Sequence, residues 1–145
     1  MKTAIVFYSA HHGNTKKLID TLSAEYDITA IDAARVSAAD LTGYDMVGFA
    51  SGIYYSKFHK TVLDFAEKNL PDGKPVFFLY TCGSKSASYT KAIAQAVSVH
   101  KAGIAGEFGC LGFDTFGPFR LIGGIAKGHP DQADLENLRK FYESL

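Results

Sequence analysis

The residues best suited to chemistry in this chain begin with Ser9-Ala10-His11-His12-Gly13-Asn14-Thr15, directly after an apolar run. Small hydroxyl side chains, a glycine and an expected helix start present exposed backbone N–H groups and the positive end of a helix dipole. That set binds a phosphate without a lysine. An ordinary capped strand-to-helix turn uses the same residue types, so the loop alone leaves both readings open. The GxxxxGK[ST] and GxGxxG patterns are both absent, which excludes a P-loop and argues against a dinucleotide-binding turn. His11 and His12 make a poor metal pair, because neighbouring side chains rarely converge on one ion, and no metal site is expected.

Two further segments carry candidate binding groups. Ser51-Gly52-Ile53-Tyr54-Tyr55-Ser56 offers two tyrosines, flat amphipathic side chains suited to stacking on a ring, although a surface tyrosine packed on the following helix reads the same. Thr81-Cys82-Gly83-Ser84 offers a glycine for close backbone approach and a serine hydroxyl, and Tyr89 follows it. Cys82 and Cys110 are the two cysteines; their spacing fits neither a metal site nor a redox pair, so both are expected as small buried residues. No acid–base pair or arginine cluster stands out, and no catalytic residue is assigned.

These segments need a scaffold, and the hydrophobic pattern describes one. Thr3 to Tyr8, Met46 to Ala50, Pro75 to Tyr80 and Ile104 to Leu111 are continuous apolar runs of the kind buried on both faces of a parallel sheet. Tyr26 to Ile31 alternates more and belongs nearer an edge. Between them the period becomes helical. Leu18, Ile19 and Leu22 mark a helix over Asn14 to Glu25; Phe58, Val62, Leu63, Phe65 and Ala66 mark a second. Ile93, Ala94 and Val97 mark a third, and Leu138, Phe141, Tyr142 and Leu145 a fourth, with Asp131 as its cap and Asp134 in its first turn. A short helical turn is expected around Ser37 to Leu41.

Five strands alternating with helices predict one domain of 145 residues, a three-layer α/β/α sandwich on a five-stranded parallel sheet. Ligands of such sheets lie at the carboxyl ends of the strands, where all three candidate segments fall. A response-regulator receiver would need carboxylates there; the first and third strands end Phe7-Tyr8-Ser9 and Phe49-Ala50-Ser51 instead. A net charge of zero and a pI near 7.0 suggest no nucleic-acid partner. The first apolar run is too short for a signal-peptide core and no stretch could span a bilayer, so a cytoplasmic protein is expected.

Tyr8 to Thr15 resembles the phosphate loop of the flavodoxins, Tyr-Ser-x-Thr-x-Gly-Asn-Thr, with His11 and His12 where hydroxyl residues are common. The segment from Ser51 resembles the loop lining one face of the flavin, and Tyr54 matches its aromatic position, with Tyr55 the other candidate. The segment Thr81 to Ser84 resembles the loop whose amides meet the pyrimidine edge, with Tyr89 either covering the ring or packing on the next helix. The resemblance covers Met1 to about Gly112 and implies the flavodoxin strand order 2-1-3-4-5. It implies FMN as the cofactor, held by Ser9, Ala10, His11, His12, Gly13, Asn14 and Thr15, by Ser51, Gly52, Ile53, Tyr54, Tyr55 and Ser56, and by Thr81, Cys82, Gly83, Ser84 and Tyr89. It further implies an electron carrier serving redox partner proteins, a reductase or an iron–sulfur protein. A small FMN-dependent reductase or oxidase acting on a small-molecule acceptor, such as a quinone reductase or a protoporphyrinogen-oxidase-like protein, is the alternative.

Three features depart from that family pattern. The chain is neutral, with Lys57, Lys60, Lys85 and Lys91 in or beside the candidate loops. Ser56 stands where the resemblance predicts glycine. Gly112 to His129, with Phe113, Phe116 and Phe119, is a long connection that either closes over the flavin side or packs beneath the last helix.

Overall fold

The computed structural model describes residues 1–10, 12–84, 86, 88–113 and 121–145. In chain order its elements are β1 (Thr3–Tyr8), α1 (Asn14–Ser23), β2 (Ile28–Asp32), β3 (Met46–Tyr54), β4 (Lys57–Phe58), α2 (Lys60–Asn69), β5 (Pro75–Cys82), α3 (Lys91–Ser98), β6 (Gly103–Leu111) and α4 (Gln132–Glu143). The sheet runs β2-β1-β3-β5-β6 with every neighbour parallel, and β4 pairs antiparallel with the end of β3. Counting the parallel strands alone, this is the order 2-1-3-4-5 expected from the sequence.

Side-chain alternation along the central strands builds two cores. Ala4, Val6, Val47, Phe49, Val76 and Phe78 face α2 and α3, meeting Val62, Phe65, Ile93 and Val97. Ile5, Phe7, Ala50, Phe77 and Leu79 face the other way onto Leu18, Ile19 and Leu22 of α1 and Leu135, Leu138 and Tyr142 of α4. A parallel strand buried on both faces must be apolar at every position, which is why these runs do not alternate in polarity. Close packing also fixes two glycines: a Cβ on Gly48 would lie 2.4 Å from the Phe77 ring, and one on Gly109 only 2.1 Å from the ring of Tyr80 on the paired strand.

The structure corrects four local expectations. β6 is an edge strand, and Ile104 is 51 % exposed, so its apolar run does not signify burial on both faces. No helix forms over residues 37–41; Asp32 instead takes the Ala34 amide with its side chain and the Arg35 and Val36 amides with its carbonyl, turning the chain before that segment. β3 continues through Ser51 to Tyr54 rather than ending at Ala50. Phe58, placed on the second helix by its spacing, belongs to β4 and is fully buried. The Asp131 cap expected at α4 is present and is extended by Asp134 into a capping box: Asp131 accepts from the Asp134 amide at 2.9 Å and Asp134 from the Asp131 amide at 2.8 Å.

Candidate functional site

β1, β3, β5 and β6 end along one edge of the sheet, and the three candidate loops leave from it. The first joins β1 to α1. Gly13 is the N-cap in the left-handed region (φ 68°), and no side chain of its own caps the helix. The first amides of a helix find no acceptor inside it. Ser9 Oγ accepts from the Lys16 amide at 3.1 Å, and the first turn of α1 holds no acidic residue. A Cβ on Gly13 would meet nothing within 4 Å, so no described side chain crowds the cap, and the Gly13 amide itself donates to the Ala10 carbonyl at 3.4 Å. The Thr15 side chain turns inward, buried against Thr81 with the two hydroxyl oxygens 3.1 Å apart, and so ties the first loop to the end of β5. Asn14 Nδ2 donates to the Phe113 carbonyl at 2.8 Å, and His12 stacks on the Phe113 ring at 4.2 Å. His11 lies outside the described residues.

The second segment is a hairpin. Ile53 pairs with Phe58 and Tyr54 with Lys57, leaving Tyr55 and Ser56 as a two-residue turn, both at positive φ (51° and 66°). Positive φ at both central positions is the pattern of a type I′ turn, whose twist matches a hairpin but favours Asn-Gly over side chains such as these. Phe58 in the core anchors the return strand. Ser51 is fully buried, and its Oγ accepts the His59 amide at 3.0 Å while donating to the Gly52 carbonyl. His59 in turn caps α2 through Nδ1, which accepts from the Thr61 amide at 3.2 Å. Its ring lies flat on Tyr8 (3.7 Å, 12°), and Tyr54 stands edge-on to both, 5.7 Å from Tyr8 and 5.0 Å from His59. Burial lowers the His59 pKa and favours the neutral ring. Tyr55 is 83 % exposed at the hairpin tip.

In the third segment Thr81 and Cys82 are buried, whereas Gly83 and Ser84 reach the surface. Cys110 is paired in register with Thr81, so it shares that face of the sheet and Cys82 takes the other. Both cysteines are buried, as expected, and neither forms a disulfide. The Tyr89 hydroxyl donates to the Ser84 carbonyl at 2.7 Å and its ring meets Tyr80 edge-on at 5.8 Å, so Tyr89 braces the third loop before α3 begins. Burial raises the Tyr80 hydroxyl pKa.

The segment after β6 has its two ends joined to each other and to α1. The Phe113 amide donates to the His129 carbonyl at 3.0 Å, and Lys17 Nζ donates to the Pro130 carbonyl at 2.7 Å. A Cβ on buried Gly112 would lie 2.6 Å from Asn14 Nδ2. Leu121 and Ile122 are 88 % and 72 % exposed and add nothing to the core. Phe116 and Phe119 lie outside the described residues, as does Lys85. Sequence reasoning missed the Tyr8–His59 stack and the Asn14–Phe113 bond. Each joins residues far apart in the chain, and no local spacing signals them.

A family model described as a flavodoxin domain matches residues 5–105. An uncharacterized protein of Methanocaldococcus jannaschii is 33 % identical over 147 residues, covering 100 % of this chain and 98 % of that protein. Among solved structures, the Streptococcus pneumonia TIGR4 flavodoxin superposes with a TM-score of 0.67 at 19 % identity, covering 100 % of this chain and 97 % of that one. A flavodoxin from the domain Archaea gives 0.62 at 18 % identity, covering 95 % and 92 %. A flavoprotein from Lactobacillus acidophilus NCFM, described in complex with FMN, gives 0.56 at 17 % identity, covering 75 % and 92 %. No helix among the described residues is long and apolar enough to cross a membrane.

Proposed function

Because the chain belongs to the flavodoxin domain family, we propose that it holds one FMN non-covalently at this edge and acts as a cytoplasmic electron carrier. The observation that carries the reading is the start of α1: a helix with a left-handed glycine cap, no acidic first turn and no described side chain crowding that glycine. Such an end suits a phosphate monoester. The amides of Gly13, Asn14 and Thr15 and the Ser9 hydroxyl are the donors. Thr15 itself serves inwardly, holding the loop to β5 through Thr81.

The flavin ring would then lie against the hairpin and the third loop. Tyr54, pre-set by Tyr8 and His59, offers an aromatic flank whose orientation is fixed before binding, which lowers the entropy lost when the ring docks. The backbone of Gly83 and Ser84, braced by Tyr89, faces the polar edge of the ring. Bound there, FMN supplies one- and two-electron transfer. The Lactobacillus acidophilus flavoprotein described with FMN supports the choice of cofactor. A reductase or an iron–sulfur protein is the proposed partner class.

FMN titration tests the cofactor: protein that stays colourless and leaves flavin fluorescence unchanged refutes it. Anaerobic mixing of the holoprotein with NADH or NADPH tests the carrier role. Flavin that stays oxidised until a partner reductase is added supports a carrier. Direct bleaching assigns a small FMN-dependent reductase instead.

A further inference from the structure

The hairpin tip and the start of α3 enclose a surface groove of about 260 Å³ lined by Tyr55, Ser56, Lys57, Ser88, Lys91, Ala92 and Gln95, of which only Tyr55 and Ser56 belong to the residues assigned to the cofactor. Its polar lining is rich in donors: two ammonium groups, two serine hydroxyls and an amide, with no carboxylate. Lys57 and Lys91 form no ion pair among the described residues, whereas Lys60, the first residue of α2, is paired with Asp64 at 3.3 Å. Tyr55, 83 % exposed, stands beside the groove at positive φ, projected outward by a tight turn. An exposed aromatic with two lysines in the same groove is the composition of a binding hot spot with a charged rim.

We propose that this groove and hairpin tip form the docking face for a partner protein that presents a carboxylate-rich patch, with Tyr55 as the aromatic anchor and Lys57 and Lys91 as the steering charges. The proposal rests on the carrier reading above and names the electrostatic sign of its partner. A chain of zero net charge has no overall attraction for an anion, so attraction must come from a local surplus such as this one. The same neutrality speaks against nucleic acid, whose binding needs many phosphate contacts rather than two lysines.

The test uses the full chain and poly-L-glutamate as the probe, followed by amide NMR shifts, with a DNA duplex in parallel. The expected result is shifts concentrated on Tyr55, Lys57, Ser88, Lys91 and Gln95. Affinity should fall about tenfold or more in the double variant Lys57→Glu/Lys91→Glu, and fall again as salt rises. FMN titration of the same variant should be unchanged, since neither lysine is among the residues assigned to the cofactor. Shifts elsewhere, no shifts, or an unaltered affinity in the double variant overturn the proposal. DNA binding at the same residues as tightly as polyglutamate also overturns it, in favour of nucleic acid. The poly-L-glutamate arm is read on the protein and not on the flavin. Its failure with normal FMN binding refutes only the docking face, and success without FMN binding refutes only the cofactor.

Discussion

Replacing Ser56 by glycine should stabilise the protein. Ser56 sits at φ 66° in the two-residue turn between β3 and β4. A side chain with a Cβ in the left-handed region costs roughly 1–2 kcal/mol. Glycine removes that strain but gives back about 0.5–1 kcal/mol through the greater freedom of the unfolded chain. Nothing else is lost, because the Ser56 hydroxyl makes no hydrogen bond among the described residues. The net gain is about 0.5–1 kcal/mol, which for a domain of this size raises Tm by about 2–3 °C. Thermal unfolding followed by circular dichroism, with urea denaturation for the free energy, measures it. Ser56→Ala is the control, since it keeps the Cβ and should stay within about 0.5 kcal/mol of the parent. Ser56→Val should fall below both, because β-branching is worst tolerated at positive φ. A glycine variant no more stable than the alanine variant would refute the strain argument and the turn assignment with it.

Other consequences are as concrete. Burial lowers the His59 pKa below 6.5, so its contribution to stability is complete above that value and is lost as pH falls through the lower folded value. His59→Asn, which keeps a capping acceptor for α2, should flatten that part of the stability–pH curve in urea titrations. Asp131→Ala removes half of the α4 capping box and should cost about 1 kcal/mol by the same assay. Gly112→Ala drives the Asn14 amide off the Phe113 carbonyl. It should weaken FMN binding about fivefold with the fold intact, the worth of about one hydrogen bond; unchanged affinity in a flavin titration would show that the phosphate loop does not depend on that tie. Gly109→Ala sets a Cβ against the Tyr80 ring on the paired strand and should cost several times more, about 2–3 kcal/mol.

The sequence by itself determined the five parallel strands and the edge at which the loops gather, and the family resemblance supplied their order, while the short antiparallel β4 went unseen. Runs such as Ile5-Val6-Phe7 and Phe77-Phe78-Leu79 are apolar at successive positions, and only a sheet covered on both faces buries such runs completely. It determined the α4 cap as well, since Asp131 and Asp134 act within one turn of each other. The role of side chains at the edge was a different matter. Thr15 reads as a surface hydroxyl until β5 brings Thr81 to within 3.1 Å and turns it inward. Tyr55-Ser56 lacks the Asn-Gly signature of a hairpin, yet the burial of Phe58 folds the chain back there regardless. Likewise, the exposure of Ile104 follows from β6 standing last in the sheet, which its own residues do not encode. Local patterns fix what a segment can become, because periodicity and capping act over a few residues. What a side chain touches depends on strands brought together from distant parts of the chain, and that only the tertiary structure decided.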